Sequence, residues 1–90
     1  MLNTKKEKSF KNDEKTLLKK HYNFNEVSKI ITLLENQMPL PNKHKDHYLQ
    51  GNWKGFKECH IDSKILLIYQ ITDTDLRLVR IGNHNDLLNK

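Results

Sequence analysis

The chain has 90 residues, a formal charge of +5 and 36% hydrophobic residues, with a mean hydropathy of −0.83. That size accommodates a single domain over residues 1–90 and excludes a two-domain enzyme. Three Gly and two Pro, with apolar-rich segments that recur, exclude wholesale disorder.

A single cysteine, Cys59, excludes an internal disulfide and a zinc site built on paired cysteines, and a reducing compartment is the natural expectation. The N-terminal MLNTKKEKSF has basic residues but no apolar signal core, and no run approaches the roughly 18 apolar residues of a membrane span. A cytoplasmic protein with no membrane partner is expected. Fourteen of the sixteen basic residues are lysines, the exceptions being Arg77 and Arg80. Lysine suits a hydrated surface, whereas the planar fork of arginine matches phosphate geometry. The basic balance favours a polyanionic partner, nucleic acid or an acidic protein.

In chain order, Leu2 to Lys6 reads as a short strand leading into a first helix at about residues 7–21, with Phe10, Leu17, Leu18 and His21 on its apolar side and Asn12, Asp13 and Lys15 outside it. A second helix follows Phe24, Val27, Ile30, Ile31, Leu34 and Met38, with N-cap candidates in the Asn-rich segment before it and Pro39 ending it. Residues 39–52 form a loop. Three strands follow at Gly55–Ile61, Ile65–Ile71 and Leu76–Ile81, and their short connections predict an antiparallel meander. Both helices are expected on one face, with Leu17, Ile31 and Leu34 over Leu67 or Tyr69 and the other face partly open to solvent.

Four of the five histidines lie at or after residue 44. Period-two alternation puts Phe56, Glu58 and His60 on one face and Lys57, Cys59 and Ile61 on the other, so Glu58 and His60 can share a surface with Arg80 and His84. Imidazoles beside an arginine suit RNA cleavage by the ribose 2′-hydroxyl. One group removes the proton, another protonates the leaving 5′-oxygen, and a cation stabilises the phosphorane. Lys64, around the turn from His60, is a second candidate cation. Each histidine taken alone also reads as a solvated side chain, and Cys59 as a small core residue. Trp53 and Phe56 read equally as base-stacking platforms and as a plug under the loop. Three imidazoles, His47, His60 and His84, are formally enough for zinc, but no paired ligand spacing supports it and the neighbouring cations oppose it. No metal is expected.

The string Asp46-His-Tyr-Leu-Gln-Gly-Asn-Trp-Lys-Gly-Phe-Lys-Glu-Cys-His-Ile61, the Pro-Leu-Pro at Pro39 to Pro41, the run from Leu66 to Gln70 and the Arg80-Ile-Gly-Asn-His84 ending together resemble the RelE/YafQ-type toxins of bacterial toxin–antitoxin modules. The YafQ branch carries a DHxLxGxWKGxRxxH pattern, then LLIY, then RxGxHxxLF. The resemblance implies a two-layer α+β domain in the order β-α-α-β-β-β. It further implies an endoribonuclease that cuts mRNA without metal or cofactor, typically on the translating ribosome, leaving 2′,3′-cyclic phosphate and 5′-hydroxyl ends. Silencing by a cognate antitoxin, acidic and partly disordered, is implied as well, with operator DNA reached only through that complex.

Carried over by position, His47, His60, Arg80 and His84 are the expected catalytic set. His84 is the general acid, His60 or His47 the base, and Arg80 the phosphate clamp, with acid and base open to exchange. Glu58 and Lys64 support them, and Lys54, Lys57, Trp53 and Leu88 are expected RNA contacts. Three positions depart from the pattern: Lys64 replaces a frequent carboxylate, Leu88 an aromatic and Lys57 a frequent arginine. The alternative is a catalytically weak module that binds RNA, the ribosome or an antitoxin.

Overall fold

The computed structural model describes residues 1–88, with Leu88 described by its backbone alone. Strand β1 (Asn3–Lys6) leads into α1 (Lys8–Lys19) and α2 (Asn25–Glu35), followed by β2 (His47–Tyr48), β3 (Lys57–His60), β4 (Ile65–Ile71), β5 (Asp75–Asn83) and a final helix α3 (His84–Leu88). The five strands form one sheet in the order β1-β5-β4-β3-β2. All neighbours are antiparallel except β1 and β5, which run parallel. The architecture is the expected α+β arrangement of helices on a small sheet, with β2 and α3 added to it.

Both long helices end on a left-handed residue that is not glycine. His21 (φ 60°) and Gln37 (φ 54°) each follow a helix terminus, and the next N–H reaches back across the last turn, Tyr22 to the Leu17 carbonyl and Met38 to that of Leu33. This double closure satisfies carbonyls that the helix end leaves without partners. It also stops α2 four residues before Pro39, so the proline is not what ends the helix. Leu18, expected on the apolar side of α1, and Met38 are instead more than half exposed, and His21 lies beyond the helix and outside the core.

On one face of the sheet, Phe10, Leu17, Val27, Ile30 and Leu34 of the helices pack against Cys59, Leu67, Tyr69, Leu76, Leu78 and Ile81. Ile31 joins this core only at its margin. The other face, expected to be partly open to solvent, carries an apolar cluster of its own. Leu66 and Ile68 are covered by Leu87 of α3 and by Leu49, Trp53, Phe56 and Val79. Trp53 and Phe56 meet edge to face at 5.6 Å, the plug reading of that pair. A side chain at Gly82 would bring its Cβ within 3.3 Å of Leu87, so the glycine lets α3 close onto the sheet.

The β4–β5 ladder slips between Ile68 and Tyr69: Ile68 faces Arg80, whereas Tyr69 faces Leu78, and Val79 is the extra residue. Such a bulge changes the phase of the strand. Strict alternation from Leu76 and Leu78 would drive Arg80 into the helix-side core. The bulge sends Ile81 there instead and turns Arg80 to the opposite face.

The left-handed cap at Gln37 is a strained position for a residue with a Cβ. Gln37→Gly is expected to stabilise the fold by about 0.5–1 kcal/mol, the relief of that strain less the extra freedom of an unfolded glycine. Urea unfolding would show this as a higher midpoint at unchanged slope.

Candidate active site

Register builds the site as rows across the face opposite α1 and α2. His47 on β2 pairs with Glu58 on β3, Glu58 with Ile68 on β4, and Ile68 with Arg80 on β5. In the adjoining row His60 faces Leu66 and Leu66 faces Gly82. The buried Leu66 and Ile68 thus lie between the imidazoles and the guanidinium, which stands two strands, or roughly 10 Å, from His60 and three strands from His47.

Glu58 is the centre of the imidazole end. It is 4% exposed, and its Oε1 lies 3.3 Å from His47 Nε2 and 3.5 Å from His60 Nε2. Its Oε2 is buried without a hydrogen-bond partner. The His47 Nδ1–H donates to the Lys45 carbonyl at 2.6 Å, because a carbonyl can only accept. Lys45 itself is left-handed (φ 47°). Both nitrogens of His47 are therefore engaged. His60 meets Glu58 through Nε2, and no hydrogen bond is made by its Nδ1 among the described residues. Its backbone carbonyl accepts the Nδ1–H of His44 at 2.6 Å. His44 is buried and has its Nε2 3.4 Å from Glu26 of α2, so it ties the end of β3 to that helix.

The loop that carries His47 is anchored from the other face. The buried Tyr69 hydroxyl donates to Asp46 Oδ1 and Lys57 Nζ to Asp46 Oδ2 at 2.9 Å. Burial, and then the Asp46 carboxylate beside it, hold the Tyr69 hydroxyl far above the ordinary tyrosine range. Lys57 also lies 5.0 Å from the centre of the Tyr48 ring. Expected as an RNA contact, Lys57 is thus part of this anchor and faces away from His60.

Arg80 is held by a carboxylate that sequence reasoning left on the solvated side of α1. Asp13 Oδ2 accepts from Arg80 Nε at 2.7 Å and Asp13 Oδ1 from Nη2 at 3.1 Å. Asp13 Oδ2 also accepts the Ile81 N–H at 3.1 Å. The hydrogen bond to Asp13 raises the Arg80 pKa further, so the guanidinium is a permanent cation. Nothing in local sequence marks Asp13, which lies 67 residues from Arg80 along the chain.

His84 is exposed at the first position of α3, two residues beyond Gly82. The helix start is capped reciprocally, the Asp86 N–H donating to Asn83 Oδ1 at 2.8 Å and Asn83 Nδ2 to Asp86 Oδ2 at 3.0 Å. Lys64 is exposed on the β3–β4 turn. It lines a cleft of about 830 Å³ that also takes in Asp13, Lys20, Tyr22, Arg80 and Asn83. Lys54 is exposed beyond the Gly51–Trp53 turn, Trp53 packs with Phe56, and the Leu88 side chain lies outside the described residues. Burial first, and then the nearby Asp46 and Glu58 carboxylates, push the Cys59 thiol up to about 12, which removes it as a nucleophile.

A family model described as the bacterial toxin of the type II toxin–antitoxin system, YafQ, matches residues 2–89. The mRNA interferase toxin YafQ of Escherichia coli K12 is 42% identical over 76 residues, covering 83% of each chain. YafQ in the crystal structure of the E. coli DinJ–YafQ toxin–antitoxin complex is 38% identical, with a TM-score of 0.88 over 97% of both chains. A metal-bound toxin from Helicobacter pylori is 39% identical, with a TM-score of 0.91 over 98% of this chain and 100% of that one. Among the described residues of the present chain no three His, Cys, Asp or Glu side chains are grouped to hold a metal ion, and the Nε2 atoms of His47 and His60 both face the same Glu58 oxygen.

Removing the Tyr69 hydroxyl leaves Asp46 with Lys57 alone. Tyr69→Phe is expected to cost about 1.5–3 kcal/mol, the worth of a buried hydrogen bond to a charged group, and to speed amide exchange across residues 46–49. Asp62 allows a pH test. Burial raises its pKa, but the N–H groups of Lys64 and Ile65 and the Tyr22 hydroxyl outweigh burial and leave it below 3.8. A depressed carboxylate stabilises the fold above its unfolded pKa, and that contribution disappears as pH falls through the folded value. Wild type is therefore expected to lose more stability than Asp62→Asn between pH 5 and pH 2, as read by chemical unfolding at each pH.

Proposed function

The chain belongs to the YafQ family of toxins of type II toxin–antitoxin systems, and on that footing we propose that it is an endoribonuclease that cleaves mRNA by attack of the ribose 2′-hydroxyl. The observation that carries this reading is the grouping of His47, Glu58, His60 and Arg80 on one face of the sheet, with His84 at the end of the same strand system. A proton on His60 Nε2, facing Glu58 Oε1 at 3.5 Å, leaves Nδ1 with the lone pair. That nitrogen takes the 2′-hydroxyl proton, and the Glu58 carboxylate stabilises the imidazolium that forms, the logic of an acid–histidine pair. His47, engaged at both nitrogens, positions Glu58 rather than acting as the base.

Arg80 contacts the phosphate, and its charge is worth most as the phosphorane forms. His84 protonates the leaving 5′-oxygen from the exposed start of α3. No step calls for a metal or cofactor. The products are a 2′,3′-cyclic phosphate and a 5′-hydroxyl, with no water consumed in the cleavage. Lys64 and Lys54 guide the RNA backbone. The substrate is mRNA on the translating ribosome, and the enzyme acts in the cytoplasm. No helix among the described residues is long and apolar enough to cross a membrane.

The toxin is silenced by a cognate antitoxin, as the E. coli relative is held in its complex with DinJ. The +5 charge favours an acidic, partly disordered antitoxin segment that folds as it binds and covers the site. Operator DNA is reached only through the antitoxin.

Purified protein incubated in EDTA with RNA, free and on translating ribosomes, is expected to yield 2′,3′-cyclic phosphate and 5′-hydroxyl ends. His60→Ala, His84→Ala and Arg80→Ala are each expected to lose at least about 100-fold in rate, with His47→Ala less impaired than His60→Ala. Dependence on added metal, or an unimpaired His84→Ala, overturns the mechanism. Absence of cutting by a folded protein, with RNA binding retained, favours the binding-module alternative.

A further inference from the structure

We propose that Asp13 is a positioning residue of this site, holding one side of the Arg80 guanidinium so that the other side stands ready for the phosphate. The inference rests on the reading of Arg80 as the phosphate clamp and adds a residue on α1 to it. Arginine has five N–H donors. Asp13 takes the Nε–H and one Nη2–H, leaving the second Nη2–H and both Nη1–H groups. An anion therefore meets the guanidinium end-on, along the edge between Nη1 and Nη2, and does not compete for the side that Asp13 holds.

Asp13 is itself fixed. Strand β1 pairs with β5 only as far as Leu78, and from there α1 takes over the free strand edge. The Glu7 N–H donates to the Leu78 carbonyl at 2.9 Å, Ser9 Oγ to the Val79 carbonyl at 2.6 Å and the Ile81 N–H to Asp13. The carboxylate that orients Arg80 is thereby hydrogen-bonded to the backbone next to Arg80, where the bulge has already turned the side chain toward the site face. A fork held in this way spends no rotamer entropy when phosphate arrives. The Asp13 charge also weakens the general attraction of Arg80 for anions, so the contact favours the rate of the chemical step and not the affinity for RNA.

Four proteins test this in single-turnover cleavage: Asp13→Ala, Asp13→Asn, Arg80→Ala and the Asp13→Ala/Arg80→Ala double variant. Asp13→Ala is expected to cut the rate about 10- to 100-fold with RNA affinity equal to or tighter than wild type, and to add nothing once Arg80 is gone. Asp13→Asn, whose amide oxygen still accepts from Nε and from Ile81, is expected to fall between Asp13→Ala and wild type. An unchanged or raised rate, or an Asp13→Ala loss that multiplies with that of Arg80→Ala, overturns the proposal.

A readout free of cleavage is the NMR signal of the Arg80 Nε–H. It is expected to exchange slowly in free wild type and rapidly in Asp13→Ala, and to keep its position when a 2′-O-methyl RNA binds. Equal exchange in the two proteins, or a displaced Nε–H on RNA binding, also overturns it. If wild type cuts no RNA, the reading of the site as a nuclease fails, and the NMR comparison of the free proteins still decides whether Asp13 orders Arg80.

Discussion

The phase slip at Val79 is the constraint on which the site depends. A strand that packs Leu76 and Leu78 against the helices cannot present Arg80 to the opposite face unless one residue is left out of the ladder. The bulge supplies that omission, and it also returns Ile81 to the core. The pairing of β1 with β5 ends at Leu78, next to the slip, which leaves the edge of β5 free for side chains of α1. The apolar core, the bulge and the Arg80–Asp13 pair are thus consequences of one local change of register.

The imidazole end follows a different rule. Burying a carboxylate with one oxygen unbonded costs stability, and Glu58 does so while its other oxygen serves two histidines. The His47 ring is in turn tied to the Lys45 carbonyl, and the backbone of His60 is held by the His44 side chain. The protein retains an unfavourable group at its sheet and surrounds it with inexpensive contacts that fix its neighbours. Such unsatisfied groups are characteristic of functional sites.

Much of this was legible in the residues. The 3, 4 spacing of Val27, Ile30 and Leu34 and the continuous run Ile65–Ile71 specify their elements by periodicity alone, and period two correctly grouped Glu58 with His60 on one face. The bulge left a trace as well: apolar residues at 76, 78, 79 and 81 break strict alternation, and that break is the slip. Other features carry no local signal. Gln37 and His21 are left-handed because the chain after each turns its N–H back onto the last helical turn, where a sequence rule looks for glycine. Helix α3 has only five residues, too few for a period, and is held by the Asn83–Asp86 cap and by Leu87 on Gly82. Asp13 looks like any acid on a lysine-rich helix, because its partner is chosen by a strand that lies at the far end of the chain.

That distance has a consequence for synthesis. Strand β1 is made well before β5, the strand it pairs with. The bonds that close the domain, Glu7 to Arg77 and Asp13 to Arg80, join residues separated by 70 and 67 positions. Contacts of such separation form late. A nascent chain can form α1 and α2, and with them Asp13, before β5 exists, so the fork of Arg80 is set only when the last strand joins the sheet.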